Sequence, residues 1–401
     1  MGPEGLSGPR PGTPKREPNQ TDGGIMHSER FQTLLTSQGP YGSIYFDDSH
    51  DTADAATATE LKWRGLHDEL ERQGAGTDLL RRLELAITAQ PPTVGRGSRV
   101  LVANAEGVLV DQHLSAGAGT LHARVSELPY IVPALDADAE RPGHLVVVVD
   151  HSGADLEFHQ GQAGGGSVFT TTVEGGSFPV HKAGRADTPG YGDPQQHTEE
   201  SRTKNIRTVA DRVTAIVDDE KPEVVFVVGE VRSRNDLVAA LPVRAAKLTV
   251  HLQVGARNSG FDPKVLHDAV DGWLIQHHRD STEAVAQDFS AEIHRGEGFA
   301  TQGLPGVCAA LRAGAVDTLL VGEMGSATVV SSDDLDTVAP NPDVLSELGV
   351  APTRILRADE ALPMVAISTG ADLVRMPDGY SATDGVGALL RYAPRQPAAI
   401  T

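Results

Sequence analysis

The segment after Pro142-Gly143 reads His-Leu-Val-Val-Val-Val-Asp, so Leu145–Val149 gives a strand no polar side chain on either face. Such a strand must be covered on both sides, which requires helices or further layers packed against its sheet. Strand-like apolar segments recur at Glu223–Val228 and Val316–Val321, each preceded by a stretch of helical periodicity. Together they predict an α/β protein. Runs of this length fall far short of the roughly 18–20 apolar residues that cross a bilayer. Neither a secretory signal nor an export motif is legible, so a cytoplasmic location is expected.

At 401 residues and 39% hydrophobic, the chain has enough apolar material for two or three ordinary cores. Its single cysteine, Cys308, permits no intrachain disulfide and suits a reducing compartment. Cys308 shares a helical face with Leu304, Val307 and Leu311, which makes it a core residue rather than a nucleophile. With 34 Lys and Arg against 55 Asp and Glu, the net charge is −21. That balance argues against a general DNA or RNA binder, whose affinity rests on many cation–phosphate contacts. It leaves room for RNA contact through local basic segments on an acidic body.

The chain divides at changes of composition. Residues 1–25 are rich in Pro and Gly, lack periodicity and are expected to be a disordered tail. Residues 26–141 form a first α/β domain. In it, a short helix with Phe31, Leu34 and Leu35 leads to a strand at Tyr41–Phe46. Two helices follow, Ala55–Arg72 (with Leu61, Leu66 and Leu70 facing inward) and Thr77–Ala89, then a hairpin of Arg99–Ala103 and Gly107–His113. Residues 142–281 form a middle domain. Three strands in a meander (His144–Asp150, Ala154–Gln160 and Val168–Val173) precede a long helix at Thr198–Val217. The strands Glu223–Val228 and Lys247–Leu252 flank a helix at Ser233–Ala240, an order that suits an RNase-H-like fold. A helix from Asp262 through His294 leads into the third domain, residues 282–401. There a helix over Leu304–Leu311 stops at Ala313-Gly314 before the strand Val316–Val321, and Leu389-Leu390 centre a last strand.

Between the meander and the long helix lies Val180–His197, longer than the roughly 12–15 residues above which structureless loops are usually functional or disordered. His181, Lys182, Arg185, Tyr191, Gln195, Gln196 and His197 give it groups that can reach phosphate, stack on a base or hydrogen-bond to RNA. Arg96 and Arg99, after Pro91-Pro92, are the basic candidates of the first domain.

Two wordings narrow the class. One is the helix with Ala-Gly-Ala-Val-Asp-Thr-Leu-Leu at residues 313–320. The other is Gly-Val-Gly-Ala-Leu-Leu-Arg-Tyr at residues 385–392. They resemble the C-terminal domain of archaeal and eukaryotic class-1 release factors and Pelota, which has the fold of kink-turn-binding ribosomal proteins. The middle segment resembles that family too, with His181-Lys182 after a strand, a glycine-rich loop, and a helix carrying Arg202, Lys204, Arg207 and Arg212. The wording at Tyr41–Thr52 and Pro222–Arg234 is similar to the bacterial branch, including mycobacterial proteins akin to the hibernation factor Balon. The resemblance implies a cytoplasmic protein that occupies the A site of an idle ribosome, against 16S and 23S rRNA. In it the first domain lies at the decoding centre and the middle loop near the peptidyl-transferase centre. Elongation factor Tu and the stalk base are further partners that it implies.

The family's Gly-Gly-Gln tip is missing. Gly190-Tyr191-Gly192-Asp193-Pro194-Gln195-Gln196 stands in its place, so a non-enzymatic hibernation factor is expected. The alternative is a peptidyl-tRNA hydrolase in which Gln195 or Gln196 positions water. The Asn-Ile-Lys-Ser-like Asn205-Ile206-Arg207-Thr208 falls in the middle helix, so codon reading is not expected. Asp150, Asp155 and Glu157 lack a further carboxylate to complete a two-metal set, and Asp150 reads as a turn residue. His277-His278 has the wrong spacing from Glu283 for zinc and reads as a surface pair. No phosphate-cradling glycine motif is present. Neither a metal nor a cofactor is expected.

Overall fold

A computed structural model describes residues 31–49, 55–89, 97–114, 121–135, 142–161, 167–174, 194–254, 262–333, 335 and 337–393. The tail expected over residues 1–25 lies outside them, as does most of the Val180–His197 loop. The chain divides into two compact units, one of residues 1–139 and 277–401, the other of residues 140–276. The expected first and third domains thus fall in one unit, and each of the two keeps a sheet of its own.

The first unit begins with α1 (Gln32–Thr36), β1 (Tyr41–Asp47), α2 (Ala55–Arg72), α3 (Thr77–Ala89), β2 (Ser98–Ala103), β3 (Val108–Leu114) and β4 (His122–Ser126). The four strands pair antiparallel in the order β3-β2-β1-β4. Both α2 and α3 pack on this sheet around Phe46, Trp63, Leu66, Leu70, Leu79 and Leu83. Leu61 does not face inward as expected, being 58% exposed. Trp63, Leu66 and Leu70 stand three and four residues apart and set the buried face, and at 100° per residue Leu61 falls on the opposite side.

The second unit holds β5 (His144–Val149), β6 (Gly153–His159), β7 (Ser167–Glu174), α4 (Pro194–Glu220), β8 (Val224–Gly229), α5 (Val231–Ala240), α6 (Val243–Ala246) and β9 (Thr249–His251). Its sheet runs β7-β6-β5-β8-β9, antiparallel through the meander and parallel from β5 to β9. Apolar β5 is covered twice, as its composition demands. Leu145, Val147 and Val149 pack with the helices α4 and α5, while Val146 and Val148 pack with Leu266, Val270 and Leu274. The latter three belong to α7 (Pro263–Arg295), whose later turns lie in the first unit.

The rest of the first unit comprises β10 (Ala300–Gln302), α8 (Gly303–Arg312), β11 (Val316–Val321), β12 (Thr328–Ser331), β13 (Val338–Ala339), α9 (Pro342–Glu347), β14 (Arg354–Arg357), α10 (Ala358–Ser368), β15 (Asp372–Arg375) and β16 (Val386–Leu390). One sheet runs β10-β16-β11-β15 and a smaller one β13-β12-β14. Close approach explains the Gly-Val-Gly that leads into β16. Gly385 has φ +71°, and a Cβ there would sit 2.1 Å from the Glu323 carbonyl oxygen. At Gly387 a Cβ would meet the Phe289 ring of α7 at 2.4 Å. A single hydrophobic cluster joins Phe31, Leu34, Tyr41 and Ile131 of the early segments to Leu311, Leu362 and Leu373 of the late ones. Cys308 lies inside it, where burial pushes its thiol up to about 12. A core role follows, and the thiolate needed for nucleophilic work is suppressed.

Candidate nucleic-acid interface

The helix α4 begins at Pro194, ahead of the expected Thr198, so Gln195, Gln196 and His197 belong to its first turn rather than to the loop. Proline favours the first helical position, where its missing N–H costs no hydrogen bond and its φ is already set. His181, Lys182, Arg185 and Tyr191 lie outside the described residues, as does Arg96. Ile206, Val209, Ala210, Val213, Ile216 and Val217 form the buried face of α4. Their spacing of three and four residues turns the other side of the helix to solvent.

The cations of α4 split into two groups. Arg202 is largely covered, with Nη2 3.2 Å from Asp236 Oδ2 and 3.4 Å from Ser233 Oγ on α5. Lys204, Arg207 and Arg212 are exposed and make no ion pair among the described residues. Asp211 shares the same exposed side, so the edge is basic but interrupted. Asn205-Ile206-Arg207-Thr208 is ordinary amphipathic helix. Asn205 donates to the His151 carbonyl at 3.2 Å, Ile206 is buried, and the Thr208 hydroxyl donates to the Lys204 carbonyl at 3.1 Å.

Arg99 departs from its expected role. It is 1% exposed on β2, and its guanidinium donates to both Asp111 oxygens at 2.8 Å and to the Ala86 carbonyl at 2.9 Å. All this donor capacity is directed into the domain, so the side chain offers nothing to an RNA phosphate. The sequence hid this because Asp111 becomes its neighbour only when β2 and β3 pair, with Leu101 opposite Asp111. His278 is also buried rather than on the surface as expected. Asp150 holds its turn as read, accepting from Ser152 N at 2.7 Å and Gly153 N at 2.9 Å.

A second charged cluster went unread in the sequence. Arg124 on β4 donates to Asp359 Oδ2 at 3.0 Å and Glu360 Oε1 at 3.2 Å, both in the first turn of α10. Its guanidinium also lies 3.8 Å from the Tyr130 ring centre. Arg357 approaches the same carboxylates, with a pair of hydrogen bonds to Asp359 of 3.0 and 2.8 Å. Beside it is a cavity of about 390 Å³ lined by Tyr45, His122, Tyr130, Glu323 and Arg375 among others. Burial and the neighbouring Asp359 raise the Glu360 carboxyl above its usual range, against the pull of Arg124. Burial, helped by Arg124, lowers the His122 imidazole. More than two hundred positions separate β4 from α10, so no spacing rule could have connected them.

The uncharacterized protein Rv2629 of Mycobacterium tuberculosis (strain H37Rv) is 46% identical over 368 residues, 92% of this chain and 97% of its own. Residues 143–295 match the model of bacterial archaeo-eukaryotic release factor family 2. The chain belongs to the bacterial archaeo-eukaryotic release factor family. Among solved structures, the archaeal translation termination factor aRF1 is 14% identical, covering 91% of this chain and 97% of that one, with a TM-score of 0.23. The Saccharomyces cerevisiae translation termination-like factor Dom34 is 11% identical, over 75% and 81% respectively, with a TM-score of 0.36.

In this release-factor family member, the matched stretch contains the whole five-stranded mixed sheet, α4 and the segment preceding it. It holds every middle-domain residue nominated for RNA contact. No helix among the described residues is long and apolar enough to cross a membrane.

Proposed function

We propose that this protein is a ribosome-binding factor that occupies the A site of idle ribosomes, with the Val180–His197 segment and the start of α4 directed to 23S rRNA. Membership of the bacterial archaeo-eukaryotic release factor family carries this reading. The exposed cations Lys204, Arg207 and Arg212, without an ion pair among the described residues, support it, because they stand on the helix that continues from that segment. An acidic chain that leaves such charges uncommitted has local capacity for phosphate despite its net repulsion. The missing Gly-Gly-Gln tripeptide favours a factor that blocks the site over one that hydrolyses peptidyl-tRNA. Elongation factor Tu and the stalk base remain the protein partners the reading implies.

The test is co-sedimentation with ribosomes of vacant A site, followed by a peptide-release assay on ribosome-bound peptidyl-tRNA. Saturable binding that weakens as salt rises, with no peptide released, is the expected outcome. Release that disappears in the Gln195→Ala/Gln196→Ala double variant would replace hibernation by rescue hydrolysis. Equal affinity for ribosomes and for unrelated RNA would remove the A-site assignment altogether.

A further inference from the structure

On β6 of the second unit, Glu157 and His159 stand two residues apart, so both side chains leave the same face of the sheet. The start of α7 brings His267 to them. Glu157 Oε1 lies 3.2 Å from His159 Nε2, and Glu157 Oε2 lies 3.9 Å from His267 Nε2. All three donor atoms fall within 4.8 Å of one another. Donors about 2.0–2.1 Å from a tetrahedral zinc ion stand roughly 3.4 Å apart, so small side-chain rotations would close this set on one ion.

The tautomer of His267 makes the arrangement informative. Its Nδ1 is 2.8 Å from the Pro263 carbonyl, which can only accept, so Nδ1 carries the proton. In the neutral ring the Nε2 lone pair then faces a carboxylate at a separation too long for a hydrogen bond. That lone pair and the Glu157 carboxylate are both donors a divalent cation could take up. A backbone carbonyl on the far ring nitrogen is also the usual support of a metal-binding histidine. His159 is held in advance, stacked on His144 with centroids 4.5 Å apart and planes 6° from parallel. His144 is itself fixed, its Nδ1 2.9 Å from the Pro142 carbonyl.

We propose that Glu157, His159 and His267 form a binding site for a zinc-class divalent ion, which fastens the first turns of α7 to β6. Two imidazoles and one carboxylate are a donor set suited to zinc, and three protein ligands leave a position for water. Asp155, on the same strand, accepts from the Thr172 hydroxyl at 2.9 Å and is not among the three groups whose donor atoms converge. A second group of possible ligands, His67, Asp68 and Glu71, lies along a single helix with two of its three members exposed, and it serves as the control.

The experiment uses the untagged full chain, stripped with a chelator and titrated with Zn²⁺ against a competing zinc indicator. One ion per chain is expected, with affinity lowered at least about tenfold in His267→Ala and in Glu157→Gln, and unchanged in His67→Ala. Added Zn²⁺ should raise the melting temperature of the wild type and leave that of His267→Ala where it was. His267 is half exposed, so its alanine variant should match the zinc-free wild type in circular dichroism and melting. No saturable binding, or equal binding by wild type and a folded His267→Ala, would overturn the site.

Discussion

Arg99 and Arg124 of the first unit and the cations of α4 in the second put the same chemistry to opposite uses. Arg99 and Arg124 each meet carboxylates across paired or packed elements, and both are largely enclosed. Lys204, Arg207 and Arg212 stand on a solvent-facing helix side without a partner among the described residues. In a chain with 55 acidic residues against 34 Lys and Arg, a cation has carboxylates in excess to choose from. Enclosed pairs are expensive to break because the surviving charge is left in a poor solvent. Exposed cations contribute little to stability and keep their capacity for phosphate. Basic residue type alone therefore does not identify an RNA contact. What a cation already holds decides it.

The largest effect that would sharpen this contrast is that of Arg99→Ala. Removing the guanidinium strands Asp111 and the Ala86 carbonyl and opens a cavity in β2, and the cost should be about 3–5 kcal/mol. Urea unfolding measures it, and Arg99→Lys should fall between, since lysine cannot reproduce the forked contact. A loss below about 1 kcal/mol would erase the distinction between committed and free cations.

A smaller effect is expected on the other side of the comparison. The triple variant Lys204→Ala/Arg207→Ala/Arg212→Ala should unfold within about 0.5 kcal/mol of the wild type, because none of the three supports the core. Its ribosome affinity should fall, and its salt dependence should flatten by about one log unit per decade of salt for each cation that touches phosphate. Lost stability with unchanged affinity would reverse the roles of the two regions.

How far the sequence could be read follows the same physics. Helices α2 and α3 were placed residue for residue, and β5 was legible as doubly covered, because local periodicity or its absence is written in consecutive positions. Helix α10 was not anticipated. Pro363 sits inside it and every residue from Ala358 to Ile367 is buried, so it carries neither a clean propensity nor a polar face. The strand β4 was missed as well, since each of its residues is only half covered and its register comes from β1. The candidate site was legible in part. The basic residues of α4 could be named from the helix, while the burial of Arg99 and the meeting of Arg124 with Asp359 and Glu360 depend on tertiary pairing. The convergence of His267 on Glu157 has the same origin, since α7 and β6 are far apart in the chain.

The smallest effect tests how the enclosed carboxylates are tuned. Burial first, then Asp359, holds the Glu360 carboxyl above its ordinary value of 4.5, so the folded protein keeps that proton longer than the unfolded chain. Between the unfolded and folded values the native state binds more protons, and stability from this group declines as pH rises through that window. Below about 4.5 its contribution is fully present, and above the folded value it is lost. Glu360→Gln removes the titration while keeping an acceptor for Arg124, which retains Asp359 as its charged partner. The variant should therefore gain on the wild type as pH climbs from 4.5 toward neutrality, by an amount smaller than either effect above. Parallel stability curves for the two proteins across that range would show that Arg124 and Arg357 fully compensate the burial of Glu360. The enclosed cluster would then be as electrostatically relaxed as the exposed edge of α4.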